Sequence, residues 1–370
     1  MTATRGLEGV VAAQSAICSI VDGVLCYGGI NVDELAEHAT FEEVVYLLWH
    51  GVLPKSEQLA ELKKQLGQNA AVPQEVFDSI RTYPQGVHSM AVLRTAISTL
   101  ALYDTEAQAM DPEANYRKSI RLMAQTPTII AGYARIRKGL EPVAPNPSYS
   151  LAKNFLYMLT GVEPTETAVK AFDVALILHA DHEFNASTFA ARVTVATLTD
   201  IYSGIVSAIG TLKGPLHGGA NEAVAAMLQE IGTLENVEPY VRQKLDNKEK
   251  IMGFGHRVYK DGDPRAKWLR QMSKQLTEQI GRPELYQMSV KVEEMVTGEK
   301  GLKPNVDFYS ASVYISLGLE SDLFTPIFAI SRMSGWTAHI MEQYENNRLI
   351  RPRADYTGPV NQHYVPIDRR

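Results

Sequence analysis

Apolar residues recur along this chain at the three- and four-residue spacing of α-helices. Asp33-Glu34-Leu35-Ala36-Glu37 opens an acidic first turn, after which Phe41, Val44, Val45, Leu47 and Leu48 follow helical spacing. Met90 to Tyr103 repeats the pattern through Val92, Leu93, Ile97, Leu100 and Leu102. Ile120 to Ile136 predicts a further helix, kinked at Pro127. Thr167 to His179 and Ala191 to Ile209 are apolar nearly all round, which marks central helices. No clear alternating run of five or more residues stands out, nor an Asn-Gly or Asp-Gly turn between two such runs. The pattern therefore predicts an all-α fold and excludes the repeated strand–helix alternation of a parallel α/β protein.

Breakers divide the chain. Pro142, Pro145 and Pro147 predict one loop, and Gly214-Pro215 with Gly218-Gly219 a second. Gly253 to Pro264 and Gly298 to Pro304 predict two more. The stretch from about Asn221 to Lys303 is more polar than its flanks. It reads as a smaller domain inserted into a larger apolar one, with a cleft at the boundary. From Asn347 to Arg370 the periodicity fades. Arg348, Arg351, Arg353, Arg369 and Arg370 then suggest a solvated terminus on composition alone.

Composition narrows the class. With 370 residues, 45% hydrophobic and 21% charged, the chain can bury a large core. A net charge of −6 argues against a general nucleic-acid or anionic-membrane binder. Cys18 and Cys26 make no disulfide framework and no metal spacing, and read as small buried side chains in a reducing compartment. Val10 to Val21 is interrupted by Gln14, Ser15 and Ser19 and makes a poor signal peptide. No run reaches the length of a membrane span, so the expected location is cytoplasmic.

The candidate chemistry lies beside the breakers. His217 sits in Gly214-Pro215-Leu216-His217-Gly218-Gly219 and His256 in Gly253-Phe254-Gly255-His256. Glycines close by in the chain let the backbone approach a ligand, so these two are unlike core-filling histidines. His179 and His182, three residues apart on a helix, raise a metal site. Their motif is neither H-E-x-x-H nor H-x-x-E-H, and no cysteine cluster supports one. Asp263-Pro264-Arg265 reads as N-cap, N1 and N2 of a helix, where a cation is unfavourable unless an anion joins it. Asp307 reads as a helix N-cap or as a general base in a cleft. Arg332, among Phe328, Ile330, Met333 and Trp336, calls for a carboxylate from protein or ligand. P-loop, dinucleotide-binding and nucleophile-elbow motifs are absent. His, Asp and Arg without them suit proton transfer beside a carbonyl of an anionic substrate.

Six segments, in order, resemble the citrate synthase family. They are Leu178-His179-Ala180-Asp181-His182-Glu183-Phe184-Asn185-Ala186-Ser187-Thr188, Gly214-Pro215-Leu216-His217-Gly218-Gly219-Ala220-Asn221, Gly253-Phe254-Gly255-His256, Asp263-Pro264-Arg265, Pro304-Asn305-Val306-Asp307 and Arg351-Pro352-Arg353. The resemblance implies a homodimer, with a large helical domain at 1–218 and 323–370 and a small mobile one at 219–322. The active site would lie in the cleft between them. It implies condensation of acetyl-CoA, or propionyl-CoA in the 2-methylcitrate branch, with oxaloacetate, and no metal or other cofactor; the alternative of another class is a catalytically silent CoA- and dicarboxylate-binding protein on the same fold. Asp307 would remove the acyl proton, His217 would stabilise the enol and His256 would act on the oxaloacetate carbonyl. His182, Arg265 and Arg332 would hold the oxaloacetate carboxylates, with Arg351 arriving from the second subunit. Lys260 resembles a position that meets CoA phosphates. Tyr27-Gly28-Gly29 and His88-Ser89-Met90 depart from the Tyr-Arg-Gly and His-Pro-Met of many relatives.

Overall fold

The computed structural model describes residues 5–7, 9–256 and 258–370. Among them the chain forms sixteen α-helices and one small sheet. The sheet corrects the strand-free expectation. β1 (Cys18–Val21), β2 (Val24–Tyr27) and β3 (Ile30–Asn31) run antiparallel in that order. The hairpin turns at Asp22-Gly23, with φ of 50° and 78°. That is the two-positive-φ geometry that Asp-Gly favours. Its strands are only four residues long, below the run length at which alternation becomes legible. Cys18 and Cys26 are half-buried free thiols here, rather than core residues.

The helices follow as α1 (Val32–His38), α2 (Phe41–His50), α3 (Ser56–Gln68), α4 (Gln74–Arg81), α5 (Ser89–Tyr103), α6 (Pro112–Ile136), α7 (Leu151–Thr160) and α8 (Glu166–His179). Then come α9 (Ala186–Val195), α10 (Ile201–Leu212), α11 (Ala220–Ile231), α12 (Val237–Asp246), α13 (Ala266–Gln279), α14 (Glu284–Lys300), α15 (Val306–Ser316) and α16 (Phe324–Glu345). Side-chain caps start many of them. Asp111 accepts from the Ala114 amide, Asn185 from Thr188, Asp200 from Ser203 and Asn305 from Asp307.

α6 runs helical through Pro127, as one element. Two sequence expectations change. The Ala191–Ile209 helix is two helices, α9 and α10, broken at Leu198, which takes φ 62°, and restarted by the Asp200 cap. Gly298 belongs to α14, so that loop begins only at Gly301.

α16 is the centre. Most of its side chains are buried, and it packs against α2, α5, α6, α8, α9, α10 and α11. A helix apolar on every face is stable only when neighbours surround it. α13, α14 and α15 pack mutually, α11 joins α15, and α12 rests on α14. No helix of the described residues is long and apolar enough to cross a membrane. From Arg351 to Arg370 every residue is exposed.

Candidate active site

Three chain segments meet around the Phe328 ring of α16. His179, at the end of α8, meets it edge-on with centroids 5.0 Å apart, and His217 does so at 6.3 Å. The Arg332 guanidinium, one helical turn on, lies 4.8 Å from the ring centre. The α8–α9 turn brings His182, whose ring stands 5.2 Å from that of His256. A second loop carries His256 and Arg265, and the first turn of α15 carries Asp307.

Local hydrogen bonds explain these positions. Gly255 donates its amide to the Lys303 carbonyl, Asn305 donates its amide to Gly253, and Asn305 Nδ2 donates to the Gly255 carbonyl at 2.9 Å. Gly253 has φ 84°, and a Cβ there would meet Phe308 at 2.9 Å, so only glycine fits. This pinning sets His256 beside the Asn305–Asp307 corner.

Asp263 is the buried anchor of this side. It accepts from Arg265 Nε at 2.9 Å and Nη2 at 2.8 Å, and from the Arg265 and Val306 amides at 3.1 and 3.0 Å. The anion anticipated for Arg265 is therefore Asp263 itself. Arg265 stands at the N-cap of α13, since the helix begins at Ala266. Burial opposes both charges, but each partner overcomes it. Asp263 is held below the usual carboxylate range, and Arg265 is held more firmly protonated.

Arg332 departs from its expectation. It has no carboxylate contact among the described residues. Its Nε donates to the His179 carbonyl at 2.9 Å, and its buried Nη1 has no partner. Burial lowers its pKa and the nearby Asp181 charge pulls it back up. Asp181 Oδ2 accepts from His339 Nε2 at 3.1 Å, while its buried Oδ1 has no partner. An unpaired buried N–H is costly unless a ligand takes it.

The three site imidazoles are all kept neutral. Burial pushes His217 down to about 4, helped by Arg332. Burial, then Arg265, lowers His182 and His256 as well. For His217 the tautomer follows from geometry. The Ser187 hydroxyl lies 2.8 Å from Nε2, and the Ser187 amide, which can only donate, lies 3.4 Å from it. Nε2 therefore carries the lone pair and Nδ1 the proton. Trp336 Nε1 donates to the Ser187 oxygen at 3.1 Å, fixing the serine. His256 Nδ1 accepts the Val258 and Tyr259 amides at 3.1 and 3.3 Å, which leaves the proton on its Nε2.

Asp307 is the counterpart. Burial raises its carboxyl pKa to about 7, while Arg265 and Arg332 draw it down and Asp263 adds to the rise. It sits in the first turn of α15, and Asn305 takes the cap role that the sequence offered it. A carboxylate this basic, among neutral N–H donors and buried guanidinium groups, can take a proton from carbon acid and leave the resulting oxyanion stabilised.

Lys260 is exposed and lines a pocket of ≈ 250 Å³ with His256, Tyr259, Leu302 and Lys303. Arg351 lies in the exposed tail, and nothing in the chain brings it to the cluster. His179 and His182 do not converge. The first donates from Nδ1 to the Ala175 carbonyl at 2.7 Å, and the second shares Nε2 with the Tyr259 hydroxyl at 3.1 Å. No group of three or more His, Cys, Asp or Glu suited to a metal occurs among the described residues. Sequence reasoning gave no role to Ser187 or Tyr259, and it read Asp263 only as a helix cap. Ser187 lies inside the first family-like segment and Asp263 in the fourth, whereas Tyr259 carried no signal.

The family model for citrate synthase, C-terminal domain, matches residues 6–353. The chain is 65% identical to citrate synthase 2 of Bacillus subtilis over 100% of both chains. It is 50% identical to the citrate synthase of Deinococcus radiodurans over 99% of this chain and 98% of that one. Among solved structures it is similar to the citrate synthase of Thermoplasma acidophilum, in ternary complex with carboxymethyl coenzyme A and oxaloacetate. There the TM-score is 0.93 at 36% identity, covering 99% of each chain.

Proposed function

Because this chain belongs to the citrate synthase family, we propose that it condenses acetyl-CoA with oxaloacetate and hydrolyses the citryl-CoA formed to citrate and CoA. The observation that carries this reading is the pairing of one strongly basic carboxyl, Asp307, with imidazoles held neutral and oriented as donors. Asp307 takes a proton from the acyl methyl carbon. His217 Nδ1–H donates to the thioester oxygen and stabilises the enol. The enol carbon attacks the ketone carbon of oxaloacetate, whose oxygen becomes an alkoxide protonated through His256. Approach of the dianionic substrate opposes the Arg265 field that depresses His256 in the ligand-free protein. Water then adds to the thioester carbonyl, and CoA leaves as the thiol.

His182, Arg265 and Arg332 bind the oxaloacetate carboxylates, and the unpartnered Arg332 Nη1 is the donor most in need of one. Lys260 meets the CoA phosphates. The chemistry is proton transfer and needs no metal or other cofactor. Residues 219–322 act as a small mobile domain that closes over the substrates. The protein works as a cytoplasmic homodimer in which the exposed tail carries Arg351 to the neighbouring site.

Thiol release from acetyl-CoA and propionyl-CoA, each with oxaloacetate and a chelator, tests the reading. Release with the higher kcat/KM for acetyl-CoA is expected. Preference for propionyl-CoA moves the product to 2-methylcitrate. No release from either overturns the enzymatic reading.

A further inference from the structure

The turn that carries His182 is held by a residue outside the reaction scheme. Glu183 follows His182 directly and takes φ 49°, a left-handed conformation that a glutamate adopts only when its surroundings impose it. Those surroundings are the β1–β2 hairpin. Glu183 Oε1 accepts the Ile20 amide at 2.7 Å, and the Glu183 amide donates to Cys18 Sγ at 3.4 Å. From the next strand Tyr27 donates its hydroxyl to the Asp181 carbonyl at 3.1 Å, and that hydroxyl lies 3.4 Å from the Asp181 amide. Residues 181 and 183 are thus gripped from one sheet, on either side of His182.

The grip suits the sheet's geometry. The two-residue turn closes on the Val21–Val24 pair, so the Ile20 amide points away from β2 and is free for an outside acceptor. β1 is an edge strand, and the carboxylate satisfies an edge N–H that the ladder leaves open. Burial chiefly raises the Tyr259 phenol pKa, with the Glu183 charge among the smaller contributions, and Tyr259 shares a hydrogen bond with His182 Nε2 at 3.1 Å. Asn185, whose Nδ2 donates to the Glu183 carbonyl at 3.3 Å, caps α9, which carries Ser187.

We propose that Glu183 is a positioning residue, clasped to the Ile20 amide of the N-terminal hairpin, which sets the oxaloacetate-binding orientation of His182. This rests on the assignment of His182 to oxaloacetate given above. The clasp acts on the strained backbone at the residue after the imidazole, so its loss displaces the ring without touching substrate.

The test is steady-state kinetics on five variants of the full chain, with folding checked by circular dichroism. E183A is expected to raise KM for oxaloacetate about tenfold while kcat changes less than about threefold, the mark of lost ground-state binding. I20P removes the same hydrogen bond from the other side at an edge position that tolerates proline, and should reproduce that effect. The double variant should be no worse than either single one, since both break one contact. E183Q retains an acceptor oxygen and should stay within about twofold of the parent. Additive effects, an unchanged KM in E183A, or an E183Q as impaired as E183A each overturn the proposal. If E183A does not fold, I20P and E183Q decide it on the same criteria. H182A separates the two levels. A raised KM in H182A beside an unchanged one in E183A sinks only the clasp, whereas an unchanged KM in H182A sinks the assignment of His182 and the clasp together.

Discussion

The two sides of the site are built on different principles. His217, His182 and Arg332 belong to the side formed by the α8–α9 turn, the α10–α11 turn and α16. Their hydrogen-bonding neighbours are neutral: the Ser187 hydroxyl, the Tyr259 hydroxyl and the His179 carbonyl. His256, Arg265 and Asp307 belong to the side formed by the long loop and the start of α15. There one buried carboxylate, Asp263, holds the arginine and the backbone while its charge bears on both His256 and Asp307. Neutral partners decide where a proton sits on a ring, and a buried charge adjusts how tightly a proton is held beyond what burial sets. The first side fixes direction and the second sets basicity.

The largest expected effect breaks the second side at its base. D307N should lower kcat about 10²–10⁴-fold, the range for loss of a general base. It should also raise thermal stability more at pH 8 than at pH 5. The sign follows from linkage. A carboxyl whose folded pKa is raised to about 7 favours folding while protonated, and that contribution is lost as pH climbs from about 4 through 7. Asparagine has no such loss, so differential scanning at the two pH values should show the gap.

Next comes the anchor. D263N leaves Arg265 unneutralised and removes the negative charge that helps raise Asp307. Its kcat/KM should fall about 100-fold. The acid limb of the kcat/KM profile, placed near pH 7 by Asp307, should shift to lower pH because the base becomes more acidic. An unshifted limb would assign that limb to another group.

The smallest effect belongs to the first side. S187A removes the hydroxyl facing His217 Nε2 but keeps the amide, so the tautomer is weakened rather than reversed. A decrease in kcat of about tenfold or less, with KM for oxaloacetate unchanged, is expected. Loss as large as that of D263N would erase the contrast between the two sides.

The sequence exposed these two sides unequally. His217 and His256 were legible because glycines flank them, and Asp307 because an acid opens an apolar helix. Arg332 was legible as a cation among apolar residues. Its lack of a carboxylate contact was not, because the counter-charge, Asp181, lies in another segment and acts through space. The local Asp263–Arg265 pair was half-legible, whereas its bond to Val306 spans forty-three positions and leaves no periodic trace. Among elements, the fused reading of α9 and α10 shows how an apolar run hides a break. Leu198 at φ 62° carries no glycine to announce it. The hairpin at Asp22-Gly23 escaped because β1 alternates only half-buried with exposed positions, never reaching a full core face.

The central place of α16 bears on how the protein is made. Its segment, Phe324–Glu345, is synthesised well after α2, α5 and α6, yet all three pack against it. At roughly 5–20 residues per second, synthesis leaves those helices waiting on the order of tens of seconds with apolar faces open. During that interval the nascent chain exposes the kind of apolar surface that chaperones bind, and a ribosome stalled before Phe324 would release a product with no helix to fill its core.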